Sequence, residues 1–253
     1  MRPVLFELFS RPIYGYGTMI AIGILAALLL LSSRVKKNSK YNEDDIYNMS
    51  LIAIASGIAG GKLLYIITEM RNIIEDPSLL KDVGSGFVIY GSIIGGAISI
   101  FFYCKRKKWD TLDTFDLIIP SIPLAQGFGR IGCLLAGCCY GRPTDLPIGI
   151  VFNNSPFAPS GVHIHPTQIY SSIFDFLLVI FLLWYDKRKN KKGNTFALYI
   201  IIYSIGRIIV EMFRGDPRGT VSILSTSQFI SIFTLILGIV LFNIRKPKVS
   251  FNN

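Results

Sequence analysis

Seven apolar runs, each near the ~20 residues that cross a bilayer as a helix, alternate along this chain with short knots of lysine and arginine. That pattern leaves few folds open. In hydrocarbon, every backbone N–H and C=O must be satisfied inside the protein, so runs of this length fold as transmembrane helices. The runs cover about Tyr16 to Ser33, Ile46 to Thr68, Phe87 to Tyr103, Leu112 to Ile131, Gln168 to Tyr185, Thr195 to Phe213 and Thr226 to Phe242. Hydrophobic residues make up 51% of the 253, and mean hydropathy is +0.49, well above what a water-soluble domain of this length needs. The expected fold is all-α: a polytopic membrane protein with about seven transmembrane helices, a single integral membrane domain over residues 1–253. Residues 132–165 are expected to form a long loop, rich in Gly, Pro and Asn, with short extended pieces.

The net charge of +10 does not describe a nucleic-acid surface, because the cations are not spread over a polar face. Sixteen of the 26 Lys and Arg sit in knots after the first, third, fifth and seventh runs: at 34–40, 105–108, 187–192 and 245–248. Cytoplasmic loops carry such an excess. Seven spans place all four knots on one side, with the N-terminus outside, the C-terminus cytoplasmic and loop 132–165 extracytoplasmic. The first run has no small-residue cleavage site after it, so it reads as a span rather than a signal peptide. The chain shows no internal repeat of the kind that secondary transporters carry. Glycine patches at Gly57, Gly60, Gly61 and at Gly91, Gly95, Gly96 are suited to close helix packing.

Three cations, Lys62, Arg130 and Arg207, fall within or at the edge of apolar runs, where ionisable groups are rare and usually face a polar cavity. Arg207 and Glu211 stand at i, i+4 and are placed to pair; Tyr203 and Arg214 extend the same stripe. Arg130, Arg142, Arg207, Arg214, Tyr16, Tyr90, His163 and His165 all belong to the outer half by this topology. Several guanidiniums near one leaflet suit a phosphate or a phospholipid headgroup, which the planar fork binds bidentately. Gly129 and Gly132 beside Arg130 leave room for backbone or ligand. The sequence shows no phosphate loop, metalloprotease helix or nucleophile elbow, so the expected chemistry is electrostatic. The cysteine spacing Cys133-x4-Cys138-Cys139 is not a zinc-ligand pattern, and two histidines do not complete one. No metal and no cofactor are expected.

These segments resemble the prolipoprotein diacylglyceryl transferase family over nearly the whole chain. The resemblance rests on Tyr-Gly-Tyr-Gly at 14–17, the YGSIIGG segment from Tyr90, GRIG at 129–132 with the following Tyr-Gly-Arg, HPTQIY from His165, and the Y-x3-R-x3-E-x2-R-G-D-P stretch from Tyr203. It implies transfer of a diacylglyceryl group from phosphatidylglycerol to the lipobox cysteine thiol of a preprolipoprotein. It also implies a multi-pass protein of the bacterial plasma membrane. A monomer is the default expectation, which the sequence does not fix. By the resemblance Arg130 and Arg207 are the catalytic arginines. Tyr90, which stands where the family usually has histidine, is expected to be catalytic with them. Tyr16, Gly91, Gly129, Cys133, Gly141, Arg142, His165, Tyr203, Glu211 and Arg214 are expected to bind substrate.

The chain departs from the family pattern at four points. Tyr90 replaces a histidine, Cys133 an asparagine, and Cys138 and Ser171 two glutamates. A phenol is a poorer base than imidazole at neutral pH, which leaves His163 or His165 as alternatives for the base. Two further readings stay open on sequence alone: a related phospholipid-dependent transferase with another acceptor, and a phospholipid-binding protein without catalysis.

Overall fold

In a computed structural model, the structure describes residues 4–8, 11–38, 40–80, 86–153, 155–188, 191–217, 219–221 and 223–244. The basic tail at 245–248 lies outside the described residues. A short antiparallel hairpin, β1 (Val4–Leu8) and β2 (Arg11–Tyr14), precedes α1 (Gly15–Val35). Then come α2 (Glu43–Thr68), α3 (Met70–Glu75), a 3-10 turn (Pro77–Leu80), α4 (Ile89–Lys107), α5 (Thr111–Ile118) and α6 (Ser121–Ala136). The remainder is β3 (Ile150–Val151), β4 (His163–Ile164), α7 (Thr167–Asp186), α8 (Asn194–Phe213), β5 (Thr220–Val221), β6 (Leu224–Ser225) and α9 (Thr226–Ile244).

Six of these segments are long and apolar enough to cross a membrane: α1, α2, α5 with α6 as one stretch, α7, α8 and α9. Many of their apolar side chains face outward. Leu29, Leu63, Leu177, Ile180 and Met212 are all exposed, as expected where the surroundings are lipid. α4 has 19 residues, but its last turn carries Lys105, Arg106 and Lys107, which leaves its apolar part shorter than the others.

Local chemistry sets the helix ends. α2 starts at Asn42, whose side chain accepts the Asp44 N–H at 2.9 Å, and Glu43, Asp44 and Asp45 complement the positive end of the helix dipole. Pro120 separates α5 from α6, and Pro123 sits in the first turn of α6, where its missing N–H has no intrahelical partner to lose. The carboxylate of Asp116 accepts the N–H groups of Gly193 (2.6 Å) and Phe196 (2.9 Å), and so caps α8 from another helix. One boundary differs from the sequence expectation. The loop begins at Gly137 rather than at 132, because Gly132 and Cys133 continue α6 until Gly137 adopts φ +74 and stops it.

The contacts divide the chain into two compact units, 1–31 with 115–253, and 32–114. In the smaller unit α2 and α4 meet through the two glycine patches. A Cβ on Gly60 would strike the carbonyl of Gly91, and one on Gly91 the carbonyl of Gly60. The helices can approach only because neither residue has a side chain. Lys107 pairs with Asp45 at 2.6 Å, and Tyr41 packs edge-on against Trp109. In the larger unit Ile119, Leu178 and Leu182 form a buried core, covered by Phe174, Phe181, Phe196 and Tyr203.

Candidate active site

Three consecutive residues of α7 organise the larger unit. Phe176 lies over Gly127 of α6, where a Cβ would come within 2.6 Å of its ring, and Phe174 lies so closely over Gly206 of α8 that any Cβ would overlap it. Successive residues of a helix are about 100° apart, so Asp175, between the two rings, faces the seam between α6 and α8. It is 2% exposed. The Ser172 hydroxyl donates to the Gly127 carbonyl at 3.0 Å and holds α7 in register on α6. Arg130 enters the seam from α6, Tyr203 and Arg207 from α8, and Ser171 from one turn before Asp175. These five side chains line one pocket.

The cations in and around this pocket are not equivalent. Arg207 pairs with Glu211 at 3.0 Å, and its Nη2 donates to the Ser227 hydroxyl at 3.0 Å. The stripe expected on α8 thus holds for Tyr203, Arg207 and Glu211. Arg214 lies beyond the helix, in extended backbone (φ −75, ψ 143), and gives a bidentate fork to Asp216 at 2.9 and 2.6 Å. The Asp216 carboxylate raises the Arg214 pKa although burial pulls the other way. Among the described residues, Arg130 makes neither an ion pair nor a hydrogen bond; its field reaches Tyr203, Cys133, Cys139 and Asp175. A guanidinium held in a low-dielectric pocket without a contacting carboxylate is poised for an anionic ligand. Gly129, the residue before it, has open space where a Cβ would stand.

Most of the remaining expected residues lie in the larger unit. Tyr16 packs on α6, where its ring and carbonyl lie 3.2 Å from the place a Cβ on Gly132 would take. Gly141 donates to the His165 carbonyl (3.1 Å), His165 N–H to the Arg142 carbonyl (3.0 Å), and Arg142 N–H to the Phe213 carbonyl (2.8 Å). Arg142 Nε adds a bond to the Arg214 carbonyl at 3.2 Å. This ladder ties the segment after α6 to the turn before α7 and to the end of α8. The His165 imidazole is engaged by the Tyr170 hydroxyl (3.2 Å) and by the edge of Phe213, while His163 is exposed on β4. Tyr90, half-buried in the first turn of α4, and the buried Gly91 belong to the smaller unit. Lys62, in the same unit, lies over the rings of Tyr65 and Phe87.

One feature went unread in the sequence. Asp175 is a lone carboxylate inside the apolar run of α7, four residues after Ser171, and so on the same helical face one turn away. Its depth in that run was the available signal. The cysteines are a different case. Cys133, Cys138 and Cys139 place their sulfur atoms within 4.8 Å of one another, although their spacing matches no ligand pattern. Hydrogen bonds from the Cys133 and Cys138 thiols, with the Arg214 and Arg130 cations, hold the Cys139 thiol below its ordinary pKa range, and Cys138 is pushed up in turn.

Comparison with known proteins points to one family. The family model described as prolipoprotein diacylglyceryl transferase matches residues 3–244. A Clostridium tetani protein named phosphatidylglycerol–prolipoprotein diacylglyceryl transferase is 67% identical, over 96% of this chain and 98% of its own. A Clostridium perfringens protein with that name and the number 2 is 56% identical over 98% and 97%. A Dehalococcoides mccartyi protein of the same name is 32% identical over 97% and 95%.

Proposed function

The chain belongs to the prolipoprotein diacylglyceryl transferase family, and we propose that it moves a diacylglyceryl group from phosphatidylglycerol to the lipobox cysteine of a preprolipoprotein. The observation that carries this reading is Arg130: a pocket cation that no counter-ion among the described residues contacts, beside a glycine that leaves space open. The protein acts as a monomer in the bacterial plasma membrane. Its basic knots face the cytoplasm, so the N-terminus and the site face outward.

In the reaction, the acceptor sulfur attacks the glyceryl carbon that carries the phosphate ester. A C–S bond forms, the C–O bond to phosphate breaks, and glycerol phosphate leaves with the negative charge. Arg130 and Arg207 stabilise that charge as it develops, which favours the transition state over the bound lipid. An ordinary cysteine thiol, with pKa near 8.5, must give up its proton. Asp175, buried in the same pocket, is the carboxylate placed to receive it, one turn from the position where Ser171 replaces a glutamate. Glu211 keeps Arg207 oriented and Tyr203 lines the pocket, while Tyr16, Gly129 and Cys133 are substrate-binding residues by the resemblance. Gly141, Arg142, His165 and Arg214 act through the ladder that holds those walls. For Tyr90 and Gly91, in the smaller unit, a part in substrate handling rests on the resemblance alone.

The test supplies membranes containing the protein with a lipobox peptide and phosphatidylglycerol labelled in its acyl chains. Label should appear on the peptide cysteine and vanish with Arg130→Ala and with Arg207→Ala. Folded wild-type protein that transfers no label would sink the reading.

A further inference from the structure

The cysteine cluster is built by the end of α6. Gly137 donates to the Leu134 carbonyl at 3.2 Å and Cys138 to the Cys133 carbonyl at 3.1 Å, the paired bonds of a helix-stopping Schellman turn. That turn brings residues 133 and 138 back to one place. Cys139 then adopts φ +58, a left-handed conformation disfavoured for any residue with a side chain, and folds its thiol onto the other two. Two buried side chains hold the strained segment. Thr167 Oγ1 donates to the Cys139 carbonyl and Gln168 Nε2 to the Cys138 carbonyl, both at 2.7 Å. Both donors are 1% exposed. Such strain persists only where its surroundings impose it, and it is concentrated at functional sites.

The ligand set is chemically narrow. Three thiols, unpaired by disulfides, offer three soft ligands and no oxygen or imidazole among the clustered groups. Thiolates select Zn2+ and ions like it over Mg2+ or Ca2+. With Zn–S bonds of about 2.3 Å, neighbouring sulfurs stand about 3.8 Å apart, so closure asks each pair to approach by about 1 Å at most from the 4.8 Å limit. Cys138 and Cys139 are half-buried, which leaves a path for the ion. Three thiolates around a divalent cation carry one net negative charge, and the positive fields of Arg214 and Arg130 reach this cluster. From this geometry we propose that Cys133, Cys138 and Cys139 form a three-thiolate binding site for a soft d10 divalent ion, Zn2+ or its analogue Cd2+. Each thiol binds as its thiolate, and its proton leaves to water. The site stands on the cluster alone and does not depend on the transferase reading.

The experiment titrates Cd2+ into the reduced, detergent-solubilised full chain without chelator and follows the ultraviolet thiolate-to-cadmium charge-transfer absorption. The expected result is saturation at one equivalent, with intensity for three thiolates. Zn2+ should erase the band and protect three cysteines from alkylation in a mass-spectrometric count. Cys133→Ser, Cys138→Ser and Cys139→Ser should each lose the saturating band while keeping the wild-type melting temperature. Cys104→Ser, remote in sequence and fully buried, should retain it. No band in reduced wild type, or a band that survives replacement of all three, overturns the site. So does protection of fewer than three cysteines by Zn2+.

Discussion

Asp175 stands one helical turn beyond Ser171 on α7, and both side chains line the pocket that Arg130 and Arg207 enter from α6 and α8. The carboxylate that the family pattern places at position 171 thus has a substitute within the same cavity. A shift of four residues keeps a side chain on its helical face and moves it by about one pitch. The pocket is therefore not short of a carboxylate, although its motif is.

Replacing Asp175 by Asn should reduce diacylglyceryl transfer by about 10²–10⁴-fold if it takes the thiol proton. Adding Ser171→Glu to that variant should restore part of the rate. Transfer by Asp175→Asn at the wild-type rate would remove Asp175 from the reaction.

Arg130→Lys keeps the charge but loses the planar fork. Transfer should fall by about 10²–10³-fold, as for loss of one transition-state donor. The amount of folded protein in the membrane should stay the same, because Arg130 holds no structural partner among the described residues. Quantitative blotting beside the transfer assay separates the two effects.

Arg207 and Glu211 form a buried pair, with side chains 16% and 1% exposed. Removing one partner leaves the other charge buried, at a cost of about 3–5 kcal/mol. Melting temperatures in detergent should fall for Arg207→Gln and for Glu211→Gln, and less for the double variant than the two single shifts add up to. Additive shifts would mean that the two side chains do not act as a pair.

Two glycines should respond oppositely to alanine. At Gly91 a Cβ would meet the Gly60 carbonyl and push α2 and α4 apart, so Gly91→Ala should destabilise by about 1–3 kcal/mol. At Gly129 a Cβ meets nothing, and an alanine within a helix stabilises by about 0.5–1 kcal/mol. Gly129→Ala should therefore melt no lower than wild type, yet transfer less if the open space beside Gly129 is where the ligand comes. Unchanged activity would place the lipid elsewhere.

The apolar runs by themselves determined that this chain spans a membrane as helices, because unsatisfied backbone polar groups are too costly in hydrocarbon for any other course. Helical periodicity likewise placed Tyr203, Arg207 and Glu211 on one face, and the buried cations marked where a polar cavity had to be. These are properties of single segments, and a sequence states them directly. What two segments do to each other is not written in either. Only the packing of α7 between Gly127 and Gly206 decided that Asp175 faces Arg130, since nothing in the order of residues says which side of α7 meets α6. Only the tertiary structure distinguished Arg130 from Arg207 and Arg214, whose charges are met by Glu211 and Asp216. The cysteines make the same point at shorter range. Their spacing excluded a ligand pattern, but a left-handed turn at Gly137 and a second at Cys139 reverse the chain within a few residues. Proximity in space followed from backbone dihedrals and from two buried side chains on α7, not from spacing along the chain.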